Sequence, residues 1–163
     1  MADAEDGRRL LADAMLGALA RWLRVLDLDT AYDPELDDPE LVEKALEERR
    51  VLLTRDRKLV ERKALRGRHL LIESEVVDRQ VRQVLSHLDW QPPQERLFRR
   101  CLRCNEALER MAPEEARRFV APYIARTQER FRRCPSCERI YWASSHVRRM
   151  RKRLARMGVG VGD

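Results

Sequence analysis

Along the first 90 positions, short unbroken apolar runs alternate with longer stretches whose apolar residues recur at helical spacing. Arg9–Ala12 is a short apolar run ending at Asp13, a candidate first strand. Over Met15–Leu26, Leu16, Leu19, Leu23 and Leu26 fall on one helical stripe, widened by Met15 and Trp22. Asp29–Tyr32 is a second candidate strand. Asp37-Asp38-Pro39-Glu40 has helix-start chemistry: Asp38 suits the N-cap, Pro39 the first helical position, and Leu41, Val42, Ala45 and Leu46 follow. Val51–Leu53 predicts a buried strand that runs into Thr54-Arg55-Asp56, with a helix from Arg57 to about Leu65. His69–Ile72 predicts a further strand, and Val76–Leu88 a helix with Val77, Val81, Val84, Leu85 and Leu88 on one face. Repeated strand–helix units imply an α/β fold with a mainly parallel sheet and helices on both sides.

Gln91-Pro92-Pro93-Gln94 interrupts this rhythm, since two prolines cannot continue a helix. The chain therefore divides into one domain over residues 8–90 and a smaller one over residues 96–155 that ends in a helix. No internal repeat is visible, and Gly158–Asp163 reads as a frayed tail.

The second unit contains Cys101-Leu-Arg-Cys104 and Cys134-Pro-Ser-Cys137, which together use all four cysteines. Paired CxxC turns are the signature of a four-thiolate zinc site, each tight turn aiming two sulfurs at one ion. The 29 residues between the pairs leave room for a short helical insertion around Pro113–Arg118. Two disulfides or a redox CxxC would use the same residues. Disulfides are disfavoured without a secretory leader, and a redox motif needs no duplicate. Four protein ligands close the coordination sphere, so the expected role of Cys101, Cys104, Cys134 and Cys137 is a structural Zn²⁺ in a zinc ribbon.

Charge sharpens the division. Residues 1–95 hold 16 Lys/Arg against 21 Asp/Glu, whereas residues 96–163 hold 18 against 7. A basic second unit points to a polyanion, nucleic acid first, though an arginine-biased solvated surface gives the same numbers. Charged residues make up 38% of the chain, and no stretch approaches the roughly 20 apolar residues of a membrane span. The expectation is a cytoplasmic protein with no membrane partner.

In open parallel sheets, sites form outside the carboxyl ends of the strands. Asp13 follows the first candidate strand, Asp56 the third, and Asp33-Pro-Glu-Leu-Asp37-Asp38 forms an acidic loop between them. Converging carboxylates repel one another unless a divalent cation neutralises them, and oxygen-only ligands favour Mg²⁺ or Mn²⁺. Each of these residues also has a local explanation: Asp13 and Asp56 can cap the helices that follow, and Asp33-Pro34 is ordinary turn chemistry.

Leu11-Ala-Asp-Ala-Met-Leu-Gly-Ala-Leu-Ala-Arg-Trp-Leu-Arg24, Tyr32-Asp33 with Asp37-Asp38, Leu52-Leu-Thr-Arg-Asp-Arg57, the cysteine pairs and Ile140-Tyr-Trp-Ala-Ser-Ser-His-Val-Arg-Arg-Met150 together resemble the Mut-seven C-terminal RNase domain family. The resemblance covers nearly all of residues 10–150 and implies a PIN-like three-layer fold followed by a zinc ribbon. It implies a ribonuclease that cuts single-stranded RNA with Mg²⁺ or Mn²⁺. On that pattern Asp13 and Asp56 are catalytic metal ligands. The middle acidic position falls on Asp37 or Asp38, with Asp37 preferred because Asp38 is occupied as a cap. Three departures stand out. Glu73-Ser74-Glu75 replaces a Ser-Asp-Asp-like turn, a glycine near Leu28 is missing, and Glu138 stands where the second knuckle usually has glycine.

Arg21, Arg24 and Arg55 are candidate phosphate contacts near the acidic cluster, with ordinary surface pairing as the alternative. Tyr141 and Trp142, among arginines, suit either base stacking or packing of the ribbon. His146 is a candidate acid, or a capping or packing residue. RNA is the expected partner, with a protein inhibitor or the ribosome left open along with oligomeric state. The alternative function is a non-catalytic RNA- or ribosome-binding adaptor that keeps the fold.

Overall fold

The structure is a computed structural model that describes residues 8–159. Four short parallel strands, β1 (Leu10–Ala12), β2 (Thr30–Tyr32), β3 (Val51–Thr54) and β4 (His69–Leu71), form a sheet in the order β2-β1-β3-β4. Between and after them run α1 (Gly17–Val25), α2 (Asp38–Glu47), α3 (Arg57–Val60) and α4 (Val77–Leu88). Strand periodicity explains the layers, because successive side chains point to opposite faces. Leu10, Ala12 and Leu53 join a core with Leu19, Leu23, Val81 and Val84 of α1 and α4. Leu11 and Leu52 point the other way, to Leu41, Ala45, Leu59 and Leu65. The expected three-layer α/β arrangement is present.

The first helix begins as a 3₁₀ turn over Ala14–Leu16 before α1 proper. Met15 therefore faces outward, 72% exposed, and does not widen the apolar stripe. Leu46 is exposed as well. Gly17 is needed where it stands, since an added Cβ would come within 2.8 Å of the Tyr32 hydroxyl oxygen. That hydroxyl donates to the Ala14 carbonyl at 2.7 Å. The helix expected from Arg57 to Leu65 is in fact one turn, α3, and a separate 3₁₀ turn over Lys63–Leu65. Only Leu59 and Leu65 need burial there, so the charged stretch between them gains nothing from a continuous helix.

Beyond the prolines, β5 (Glu109–Met111), β6 (Phe131–Arg133) and β7 (Ile140–Tyr141) form an antiparallel three-stranded sheet. The insertion between the cysteine pairs holds α5 (Pro113–Ala116), close to the expected turn of helix, and also α6 (Pro122–Thr127). Ala116, Val120 and Ile124 cover Met111, Phe131, Ile140 and Trp142, which gives the ribbon a second small apolar cluster. Trp142 is thus packed, beside Phe131 at 6.4 Å between ring centroids.

The last helix, α7 (Ser145–Arg156), starts from Ser144, whose hydroxyl accepts from Val147 N at 3.2 Å. It then returns to the first unit, burying Met150, Leu154 and Met157 against the core of α1 and α4. Val159 joins them at 7% exposure, so the chain is still packed one residue past Gly158. Residues 160–163 of the expected tail, and the N-terminal residues 1–7, lie outside the described residues.

Candidate active site and metal centre

The two units meet at the amino edge of the parallel sheet. Arg24, 6% exposed, donates from Nε to the Thr30 carbonyl at 2.9 Å and from Nη1 to the Leu102 carbonyl at 2.7 Å. Asn105, just after the first knuckle, donates to Asp29 Oδ1 at 2.7 Å and accepts from Thr30 N at 2.9 Å. Buried Arg50 donates to the same Asp29 oxygen at 2.7 Å. Burial alone would raise the Asp29 carboxyl, but hydrogen bonds from Arg50 and Asn105 outweigh it and hold that carboxyl below its usual range. Arg24, expected at an RNA phosphate, is instead a buried brace between the sheet and the knuckle. Nothing in the sequence flagged Asp29, Arg50 and Asn105. Their signal is only a buried charge that needs a partner.

In the ribbon, the four sulfurs lie within 4.8 Å of one another. Cys101 Sγ and Cys137 Sγ are 3.8 Å apart, the edge length of a tetrahedron with metal–sulfur bonds of about 2.3 Å. All four cysteines are free thiols. Each knuckle closes the same way: Cys104 N donates to Cys101 Sγ at 3.3 Å, and Cys137 N to Cys134 Sγ at 3.5 Å. Burial opposes ionisation of Cys101, yet hydrogen bonds from Tyr141 and from knuckle N–H groups bring it down to about 7. Hydrogen bonding to Cys137, desolvation and the Cys101 charge push Cys104 up to about 12. Thiols crowded in this way ionise together only around a cation. The residues are placed to bind a metal ion, and a closed four-sulfur set suits zinc. Asn105 and Glu138 follow the last cysteine of their knuckles at φ 67° and 62°. The missing glycine at Glu138 is therefore a left-handed position, and so is Asp27, at φ 59°, beside Leu28.

The carboxyl edge of the parallel sheet lies at the opposite end of strands about 10–13 Å long. The strand order places its switch point between β1 and β3, where a crevice opens in folds of this kind. Asp13 and Asp56 stand there. Thr54 Oγ1 donates to Asp13 Oδ2 at 2.7 Å and accepts from Asp56 N at 3.0 Å, so one hydroxyl ties both segments. Both aspartates also cap: Asp13 Oδ1 accepts from Ala14 N at 2.7 Å, and Asp56 Oδ1 from Lys58 N at 2.9 Å. Asp33 directly follows β2, and Glu73 follows Ile72 beyond β4, so an acidic residue stands within two positions of the end of each parallel strand.

The N-cap of α2 is Asp37, not Asp38. Asp37 Oδ1 accepts from Glu40 N and Glu40 Oε2 accepts from Asp37 N, both at 2.9 Å, a reciprocal capping box that Asp38 has no partner to form. The ground for preferring Asp37 over Asp38 is thereby removed. Asp37 is not brought into ligand distance of Asp13 and Asp56. Among the described residues the four cysteines are the group of three or more such ligands lying within 4.8 Å. Arg55 is 3.8 Å from Glu75, Arg21 is exposed on α1, and His146 is exposed on the first turn of α7.

A parallel α/β sheet with carboxylates at its switch point, joined to a four-cysteine ribbon, matches one family over almost the whole chain. The Mut7-C RNAse domain family matches residues 8–154, and the chain belongs to it. No curated protein and no solved structure gives a match. The family supports a ribonuclease-type hydrolase with RNA as substrate. No helix among the described residues is long and apolar enough to cross a membrane.

Proposed function

We propose that this protein is a Mg²⁺- or Mn²⁺-dependent ribonuclease of single-stranded RNA, acting at the carboxyl edge of the parallel sheet. The observation that carries the reading is the Asp13–Thr54–Asp56 linkage at the switch point. Asp13 and Asp56 form the core of the metal-binding set, completed from the acidic loop by Asp37 or Asp38, or by Asp33, which directly follows β2. The donor set fits hard cations, being oxygen throughout, and Asp56 Oδ2 takes no hydrogen bond among the described residues. A bound divalent ion would activate water and stabilise the charge of an in-line displacement. Thr54 fixes the Asp13 carboxylate, and the caps at Ala14 and Lys58 restrain both side chains. Arg55 and Arg21 are the proposed phosphate contacts beside the site.

The ribbon is proposed to hold a structural zinc and to form a second domain that helps bind RNA in the cytoplasm. One observation favours the rival, an RNA- or ribosome-binding adaptor: the third carboxylate is not gathered with the other two. Cleavage of a labelled single-stranded RNA by the zinc-loaded protein decides between them. With Mg²⁺ or Mn²⁺ added, cutting is expected, and at least about 100-fold loss in Asp13→Asn and in Asp56→Asn. Asparagine retains the capping oxygen, so both variants should fold. RNA binding without metal-dependent cutting would establish the adaptor.

A further inference from the structure

We infer that Arg99, Arg110 and Arg132 form a phosphate clamp on the ribbon sheet that grips the backbone of single-stranded RNA. Arg110 and Arg132 are directly opposite on β5 and β6, which puts both side chains on one face. Arg99 lies alongside, its carbonyl accepting from Leu108 N at 2.8 Å, two residues before Arg110. Like charges facing each other across an antiparallel pair destabilise it. Here the repulsion is unrelieved. Among the described residues no carboxylate lies within 4 Å of any of the three guanidiniums, whereas Arg96, Arg100, Arg133 and Arg153 all have acidic partners. Arg99 Nε is buried with no hydrogen-bond partner. Arg132 is partly buried beside them.

Neighbouring guanidinium forks without acidic partners suit a phosphate, whose oxygens accept from several guanidinium donors at once. The surrounding residues add to the field, because residues 96–163 carry 18 Lys/Arg against 7 Asp/Glu. The choice of RNA as occupant rests on the ribonuclease reading. The clamp extends it by giving the substrate a second anchor away from the carboxyl edge.

The test is binding of a labelled single-stranded RNA to the zinc-loaded full chain, with no Mg²⁺ or Mn²⁺ added, across a salt series. Arg110→Gln with Arg132→Gln is expected to weaken binding about tenfold or more and to flatten log K against log salt by about 0.7 for each phosphate no longer neutralised. Because the pair repel each other, this variant should keep its zinc and melt no lower than wild type. A purely structural role predicts a lower melting temperature instead. Arg110→Lys with Arg132→Lys should retain the salt slope but not the full affinity, since the fork is gone. Unchanged affinity and slope in the glutamine variant would overturn the clamp, as would equal binding of poly-glutamate by the wild type. Cleavage is measured separately, so a protein that binds through these arginines yet never cuts would defeat the ribonuclease reading and leave the clamp standing.

Discussion

The two halves of this molecule solve the same folding problem with different means. The parallel sheet is covered on both faces by leucine-rich helices, and α7 adds Met150, Leu154 and Met157 from the far end of the chain. The ribbon buries little more than Leu108 with the cysteines and Met111, Ala116 and Phe131 in a second cluster. So small a core does not stabilise a domain by apolar burial alone, and a metal ion held by the four gathered cysteines would supply the difference. The difference also separates the donor atoms: four sulfurs gather in the ribbon, and the carboxylates of Asp13 and Asp56 stand at the sheet edge.

Removing zinc should set the two halves furthest apart. A thiol-competitive chelator, or Cys134→Ser, should collapse protection of residues 101–141 in hydrogen exchange while β1, β3 and α1 stay protected. Equal protection in both halves would mean that the ribbon core suffices without metal. Next in size is Arg24→Ala. It leaves the carbonyls of Thr30 and Leu102 without their donor and should cost about 2–3 kcal/mol in denaturant unfolding. An unchanged midpoint would show that the knuckle docks without this brace. The smallest effect tests the strained turns. Glu138→Gly relieves a left-handed backbone at φ 62° and should raise the stability of the zinc-loaded protein by about 1 kcal/mol.

The sheet was legible because its signals are local. Apolar runs at Leu10–Ala12 and Val51–Thr54 and the helical stripe over α1 and α4 each specify an element without reference to the rest. The knuckles were legible for the same reason. Hidden features depend on partners distant in sequence. Arg24 became a brace because Leu102 arrives 78 residues later, whereas the Asp37 cap was readable from Glu40 three residues on. Helix α6 rests on Ile124 and the exposed Tyr123 beside it, too weak a stripe to stand out. The family resemblance reached the fold, and the structure brings Asp13 and Asp56 to one edge of it, but the choice between Asp37 and Asp38 turns on loop geometry that no short motif encodes.

On the function proposed above, the carboxyl edge of the parallel sheet takes a divalent cation through Asp13 and Asp56. Titration of the zinc-loaded protein with Mn²⁺, followed by electron paramagnetic resonance of the free ion, measures this without any choice of RNA. One or two ions should bind wild type, with a loss of at least about tenfold in affinity in Asp13→Asn and in Asp56→Asn and zinc content unchanged. Equal Mn²⁺ binding by all three proteins, or none by wild type, would contradict it.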